Sequence, residues 1–130
     1  MRSRVQLDLR EVDRSATGYL IHAEHEATAN EMFSNPDVSA RGWEKARVAQ
    51  ARIVEAVHNI VASDGTTGTL AIVSHGAVGA LLLCQVAKRA IDRKHDQPGS
   101  GGGNYFRFTY PPPQLIHGWR AIDRLDSDMQ

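Results

Sequence analysis

The chain has 130 residues, a length that suits one domain with a moderate core. Lys plus Arg and Asp plus Glu both number 15, so the formal charge is zero. No bulk attraction to nucleic acid or to an anionic membrane follows from that balance. The single cysteine, Cys84, rules out an internal disulfide and a cysteine-built metal cluster, and its place after three leucines reads as a buried, inert thiol.

Residues 5–13, VQLDLREVD, alternate apolar and polar side chains and predict a strand with one buried face. A polar turn with Gly18 follows. Residues 22–34 read as a short helix stopped by Asn35-Pro36. Ser39 then predicts the N-cap of a long helix reaching Ser63. Trp43, Ala46, Gln50, Ile53 and Val57 form its apolar stripe, while Glu44, Lys45, Arg47, Arg52 and Glu55 face water. A turn cluster at 63–68 leads into 69–73, TLAIV. This short apolar strand has the composition of one buried on both faces, as in a parallel sheet.

A helix over 77–90 comes next, then a Gly-rich loop at 95–104. Two strands are predicted over 104–110 and 115–122, joined through Pro111-Pro112-Pro113. The tail after Ile122 is expected to fray. Helix, apolar strand and helix in succession predict an α/β fold in one domain spanning 1–130. The charged N-terminus, MRSRVQLDLREVDR, does not read as a signal peptide. The longest apolar run, 77–84, is too short to cross a bilayer. A cytoplasmic protein with no membrane partner and no nucleic-acid partner is therefore expected.

The segment SHG at 74–76 carries the functional signal. Ligands of open α/β sheets bind beyond the carboxyl ends of the strands, where His75 stands. Gly76 permits a close approach to the backbone, and the following helix offers N-terminal N–H groups to an anion such as phosphate. Ser74-His75 does not read as a hydrolase dyad, because neighbours on a strand point to opposite faces and no Gly-x-Ser-x-Gly elbow exists. His22 and His25 could share a helix face, but no third ligand accompanies them, so neither a metal nor an organic cofactor is expected. His58, His95 and His117 carry no motif.

Strand-SHG-helix, preceded by the long helix 41–57, resembles the second-histidine region of the histidine phosphatase superfamily, which includes the phosphoglycerate-mutase-like phosphatases. LREVDRSATGYL at 9–20, QPGSGGGNYFRF at 97–108 and IHGWRAID at 116–123 resemble its acid-bearing and closing segments. The resemblance implies a phosphoglycerate mutase-like three-layer α/β/α fold with a mixed sheet, and hydrolysis of small phosphomonoesters. It implies a catalytic pair, His75 on the phosphoryl group and Glu11 as the acid. Arg14, Gly76 and Asn104 are the substrate-binding candidates, with a small phosphorylated substrate or a phosphate anion as partner.

The family's nucleophile stands in an Arg-His-Gly motif on the first strand, and these 130 residues contain no such motif. The chain therefore matches the C-terminal part of a family member, an incomplete domain truncated at its N-terminus, and is expected to be inactive as it stands. Three alternatives remain open: an internal Met taken as the start of a longer, active enzyme; a truncated remnant; or a non-catalytic anion-binding or interaction module completed by a partner. An open edge beside 70–73 would favour self-association.

Overall fold

The computed structural model describes residues 4–65, 68–99 and 102–124. Of the tail expected to fray after Ile122, the part from 125 onward lies outside the described residues, as do Thr66 and Thr67 of the turn cluster and Ser100 and Gly101 of the Gly-rich loop. In chain order the elements are a 3-10 turn at Leu7–Leu9, helices α1 (His22–Ser34), α2 (Ala46–Ser63) and α3 (Gly76–Val86), a 3-10 turn at Arg93–His95, strands β1 (Asn104–Thr109) and β2 (Gln114–Ala121), and a 3-10 turn at Ile122–Arg124, where the sequence predicts fraying to begin.

Helix α2 carries the stripe read from the sequence. Ala46, Ala49, Gln50, Ile53, Ala56 and Val57 are buried, the spacing that brings one helix face to the core. Its start differs from expectation. Arg41 and Gly42 take left-handed φ of 51° and 83°, which no α-helix contains, so the helix opens only at Ala46 and Ser39 instead donates its hydroxyl to the Trp43 carbonyl at 2.6 Å. Glycine is required at 42: besides its φ, an added Cβ would stand 2.8 Å from the Ala16 Cβ.

Helix α3 is apolar on all sides and buried from Val78 to Cys84. It packs across α2, where the buried Gln50 amide donates to the Leu81 carbonyl at 3.0 Å. Its end falls at Val86 rather than Ala90. Lys88 adopts a left-handed φ of 58°, and the Lys88 and Arg89 N–H groups return to the Gln85 and Cys84 carbonyls, which closes the last turn. Burial raises the pKa of the Cys84 thiol, so it is not a ready nucleophile.

β1 and β2 pair antiparallel, from Asn104 opposite Ala121 to Thr109 opposite Gln114, and the three prolines make the turn between them. This hairpin is the sheet found among the described residues. The mixed sheet expected from the sequence is not formed there. Helices and a small antiparallel sheet give an α/β fold, and the hairpin meets α3 through Trp119, whose ring lies 3.3 Å from where a Gly79 Cβ would stand.

The two N-terminal strand expectations are corrected. Residues 5–13 form no strand: Val5 is 99% and Leu7 76% exposed, and of the alternating face Leu9 alone packs against the core. Their carbonyls are satisfied by a side chain from α2 instead of a neighbouring strand. Arg52 donates to the carbonyls of Asp8 at 2.9 Å, Arg10 at 2.7 Å and Glu11 at 3.3 Å, while Glu44 neutralises the same guanidinium at 2.8 Å. Residues 69–75 likewise carry no regular secondary structure, and Val73 is 88% exposed. An apolar run needs sheet partners on its edges to become a strand, and none is supplied among the described residues.

Candidate functional site

The site forms where the acid-bearing segment meets the start of α3. Val12 is buried in the core, and it anchors the adjacent Glu11 against the helix end. The Glu11 carboxylate accepts three backbone N–H groups: Oε1 from Val12 at 2.9 Å and Val78 at 2.9 Å, and Oε2 from Ala77 at 3.0 Å. Residues 66 and 67 positions apart in the chain are thus joined, and Glu11 fills the role of an N-cap that no residue of α3 itself supplies. The donors expected to cradle a phosphate at this helix end are largely taken by Glu11. Of the first three N–H groups of α3, Gly76 alone finds no acceptor among the described residues.

Arg14 stands beside this carboxylate, with Nη2 3.8 Å from Glu11 Oε2. Its guanidinium lies 5.2 Å over the ring of Trp43, a cation–π arrangement, and its buried Nε has no hydrogen-bond partner. Trp43 is fully buried and donates its indole N–H to the Thr17 hydroxyl at 2.8 Å, which ties the 13–20 turn to the core. His25 of α1 meets the same ring at 5.4 Å. Burial pushes the His25 pKa down, and the charge of Arg14 adds to that. Sequence reasoning assigned His25 no role beyond sharing a helix face with His22; it is half-buried and lines the site.

The opposite wall comes from the segment after α3. Arg93 donates to Glu26 Oε2 at 2.7 Å, to the Glu26 carbonyl at 3.1 Å and to Asn30 Oδ1 at 2.6 Å, so a forked guanidinium pins this segment to α1. Asp96, 3.8 Å from Arg93, accepts the Gln97 N–H at 2.8 Å. Its pKa is raised, chiefly by burial, and the charges of Glu11 and Glu26 add to the effect.

Glu11, Arg14, His25, Gly76, Asp96 and Gln97 are among the residues that line one open cavity of about 500 Å³. His75 is exposed and lies elsewhere. It lines a neighbouring depression of about 370 Å³ with Arg4, Leu7, Arg10 and Val73. Ser74 donates its hydroxyl to the Leu9 carbonyl at 2.6 Å, a structural bond that holds the 69–75 segment to the acid-bearing one. Asn104 faces neither cavity. Its amide donates to Gln97 Oε1 at 3.0 Å and the Pro98 carbonyl at 3.2 Å, so it shapes the Gly-rich loop.

A family model describing the histidine phosphatase superfamily (branch 1) matches residues 3–102. The chain belongs to this superfamily. The histidine phosphatase match takes in Glu11, Arg14, His75, Gly76 and Gln97, whereas Asn104 and the hairpin lie beyond its last residue. No curated protein matches the chain. Among the described residues no group of three or more His, Cys, Asp and Glu is placed to hold a metal ion, and no helix is long and apolar enough to cross a membrane.

Sequence reasoning missed Asp96, Gln97 and Arg93 as site residues. Asp96-Gln97 stands directly before Pro98-Gly99, so the loop was visible while the inward turn of its first two side chains was not. Arg93 lies in the charged run IDRKHD, which gives no signal of which member folds back on α1.

Proposed function

We propose that this chain carries the acid and second-histidine half of a phosphomonoesterase site. The observation that supports it best is the bonding of Glu11 to the Ala77 and Val78 N–H groups, because it fixes the acid at the helix start that directly follows His75, whose ring opens on the neighbouring depression. In this reading a nucleophilic imidazole nitrogen forms a bond to phosphorus while the ester P–O bond breaks. Glu11 gives its proton to the departing alkoxide. Water then attacks phosphorus as the P–N bond breaks and frees the imidazole, Glu11 takes the proton of that water, and inorganic phosphate leaves. Glu11 Oε1 accepts two N–H groups and Oε2 one, so Oε2 is the oxygen with a lone pair left for the transferable proton. His75 and Arg14 hold the phosphoryl oxygens, the positioning and charge stabilisation on which phosphoryl transfer depends.

The nucleophile is not His75 but the histidine of an Arg-His-Gly segment, which a three-layer α/β/α enzyme of this kind places on a strand beside 69–75. The filled helix end counts against a simple anion-binding module, since Glu11 already occupies most of its donors. The test is hydrolysis of p-nitrophenyl phosphate by the 130-residue chain and by the reading frame extended upstream of Met1, each with and without His75→Ala. Turnover is expected only from an extended chain that brings Arg-His-Gly, and His75→Ala should abolish it. Turnover by the 130 residues that disappears with His75→Ala would overturn the assignment of the nucleophile.

A further inference from the structure

We infer that Gln97 is a substrate-contacting donor whose amide orientation is set by Asn104. Two backbone carbonyls fix that orientation. The Pro98 carbonyl lies 3.2 Å and the Gly102 carbonyl 3.5 Å from the Asn104 amide nitrogen. Carbonyl oxygens only accept, so Asn104 must present its NH₂ group to them. The same nitrogen lies 3.0 Å from Gln97, so the Gln97 atom facing Asn104 is its oxygen. Nε2 of Gln97 is thereby turned away, toward Gly76 and the cavity.

Gly76 makes room for it. A Cβ at this position would lie 2.5 Å from Gln97 Nε2, so any other residue would push the amide off the start of α3. The close approach that the sequence reserved for a ligand is made by a side chain. Gln97 Nε2 finds no acceptor among the described residues, and neither does the Gly76 N–H. Gln97 and Gly76, each with an N–H donor left unbonded among the described residues, line the cavity together with Glu11 and Arg14. On the reading of this site as a phosphoryl site, the acceptor they fit is an oxygen of a phosphate ester or of inorganic phosphate. A neutral amide suits that place: it donates to the oxyanion without a further charge that would pair with Glu11 or Asp96.

The experiment titrates inorganic phosphate into ¹⁵N-labelled chain and follows the Gln97 side-chain amide, the Gly76 amide and the His75 ring. Saturable shifts at Gln97 and Gly76 are expected. Gln97→Met, which keeps length and removes the donor, should weaken binding roughly tenfold, the loss of one hydrogen bond to a charged group. Asn104→Asp reverses the partner that Gln97 meets, turns Nε2 back toward residue 104, and should weaken phosphate to a similar extent although Gln97 is intact. The double variant should bind no more weakly than Gln97→Met alone. Binding that perturbs His75 and is weakened by Arg14→Ala, yet is unchanged in Gln97→Met, overturns the role of Gln97 and leaves the phosphoryl site standing. Absence of saturable binding in the unaltered chain removes the phosphoryl reading and this inference with it. Additive losses in the double variant would show that Asn104 acts by shaping the loop alone.

Discussion

The two sides of His75 are built differently. On its C-terminal side, the start of α3 is closely bonded: Glu11 caps it, Arg14 and Trp43 flank the cap, and Gln97 rests on Gly76. On its N-terminal side, residues 69–73 lie largely open apart from Ile72, which packs on the core: Leu70 is 42% and Val73 88% exposed, and Val73 lines one depression with the equally open Val5 and Leu7. One side satisfies polar groups with charged side chains brought from far along the chain. The other shows apolar residues to water without strand partners among the described residues. The contrast teaches that the helix end is assembled from the segment carrying Glu11 and Arg14, α1, α2 and the loop after α3, whereas the apolar run leading into His75 finds no strand neighbour among the described residues.

The largest expected effect breaks the closed side. Glu11→Ala removes the acceptor of three N–H groups, two of them at a helix start. Loss of a charged cap with its donors left in a half-buried place costs about 2 kcal/mol. Urea unfolding should show that loss, together with faster amide exchange at Ala77 and Val78. A change below about 0.5 kcal/mol would mean that water replaces the carboxylate without penalty and that the cap does not organise the site.

Much of this division can be read in the sequence, and the part that cannot has a physical cause. The stripe of Ala46, Gln50, Ile53 and Val57 predicts which face of α2 is buried, because helix periodicity is local. The hairpin is equally legible, since its two strands are adjacent in the chain. Glu11, His75 and Gly76 were singled out and do lie along one seam, although Gly76 and Glu11 line one cavity and His75 the next. Residues 5–13 and 69–73 have strand-like patterns, but pairing is a property of neighbours and not of pattern. Arg52, read as a solvent-facing helix residue, takes the carbonyls that a strand partner would have bonded. Such a substitution of side chain for strand leaves no trace in periodicity.

A smaller effect sharpens the electrostatics of the closed side. Burial, with Glu11 and Glu26 nearby, raises the pKa of Asp96, so the folded chain keeps this proton to a higher pH than the unfolded chain does. Between about pH 4, the unfolded value, and the raised folded value, the native state binds more protons, and stability falls as pH rises. Asp96→Asn retains an oxygen for the Gln97 N–H and should remove that fall, so the variant gains on the unaltered chain across the window and then runs parallel to it. His25 acts in the opposite direction: its lowered pKa makes stability decline as pH falls below about 6.5. Urea midpoints at a series of pH values separate the two, and a difference between variant and parent that is the same at every pH would show that Asp96 titrates alike in both states.

The smallest expected effect tests the open side, and its smallness is the point. Val73→Ser replaces a side chain that is 88% exposed, so the isolated chain should lose less than about 0.5 kcal/mol. The same substitution at Val78, one turn into α3 and fully buried, would remove packing and add an unmatched hydroxyl. If Val73→Ser instead costs about 1 kcal/mol or more, water does not cover this residue in solution. Repeating the measurement at several protein concentrations then decides what does. A cost that grows with concentration points to a second copy adding its edge to 69–73, because association stabilises in proportion to occupancy. A cost independent of concentration points to a covering segment within the same chain, and in that case the strand pattern of TLAIV describes the solution structure better than its exposure does.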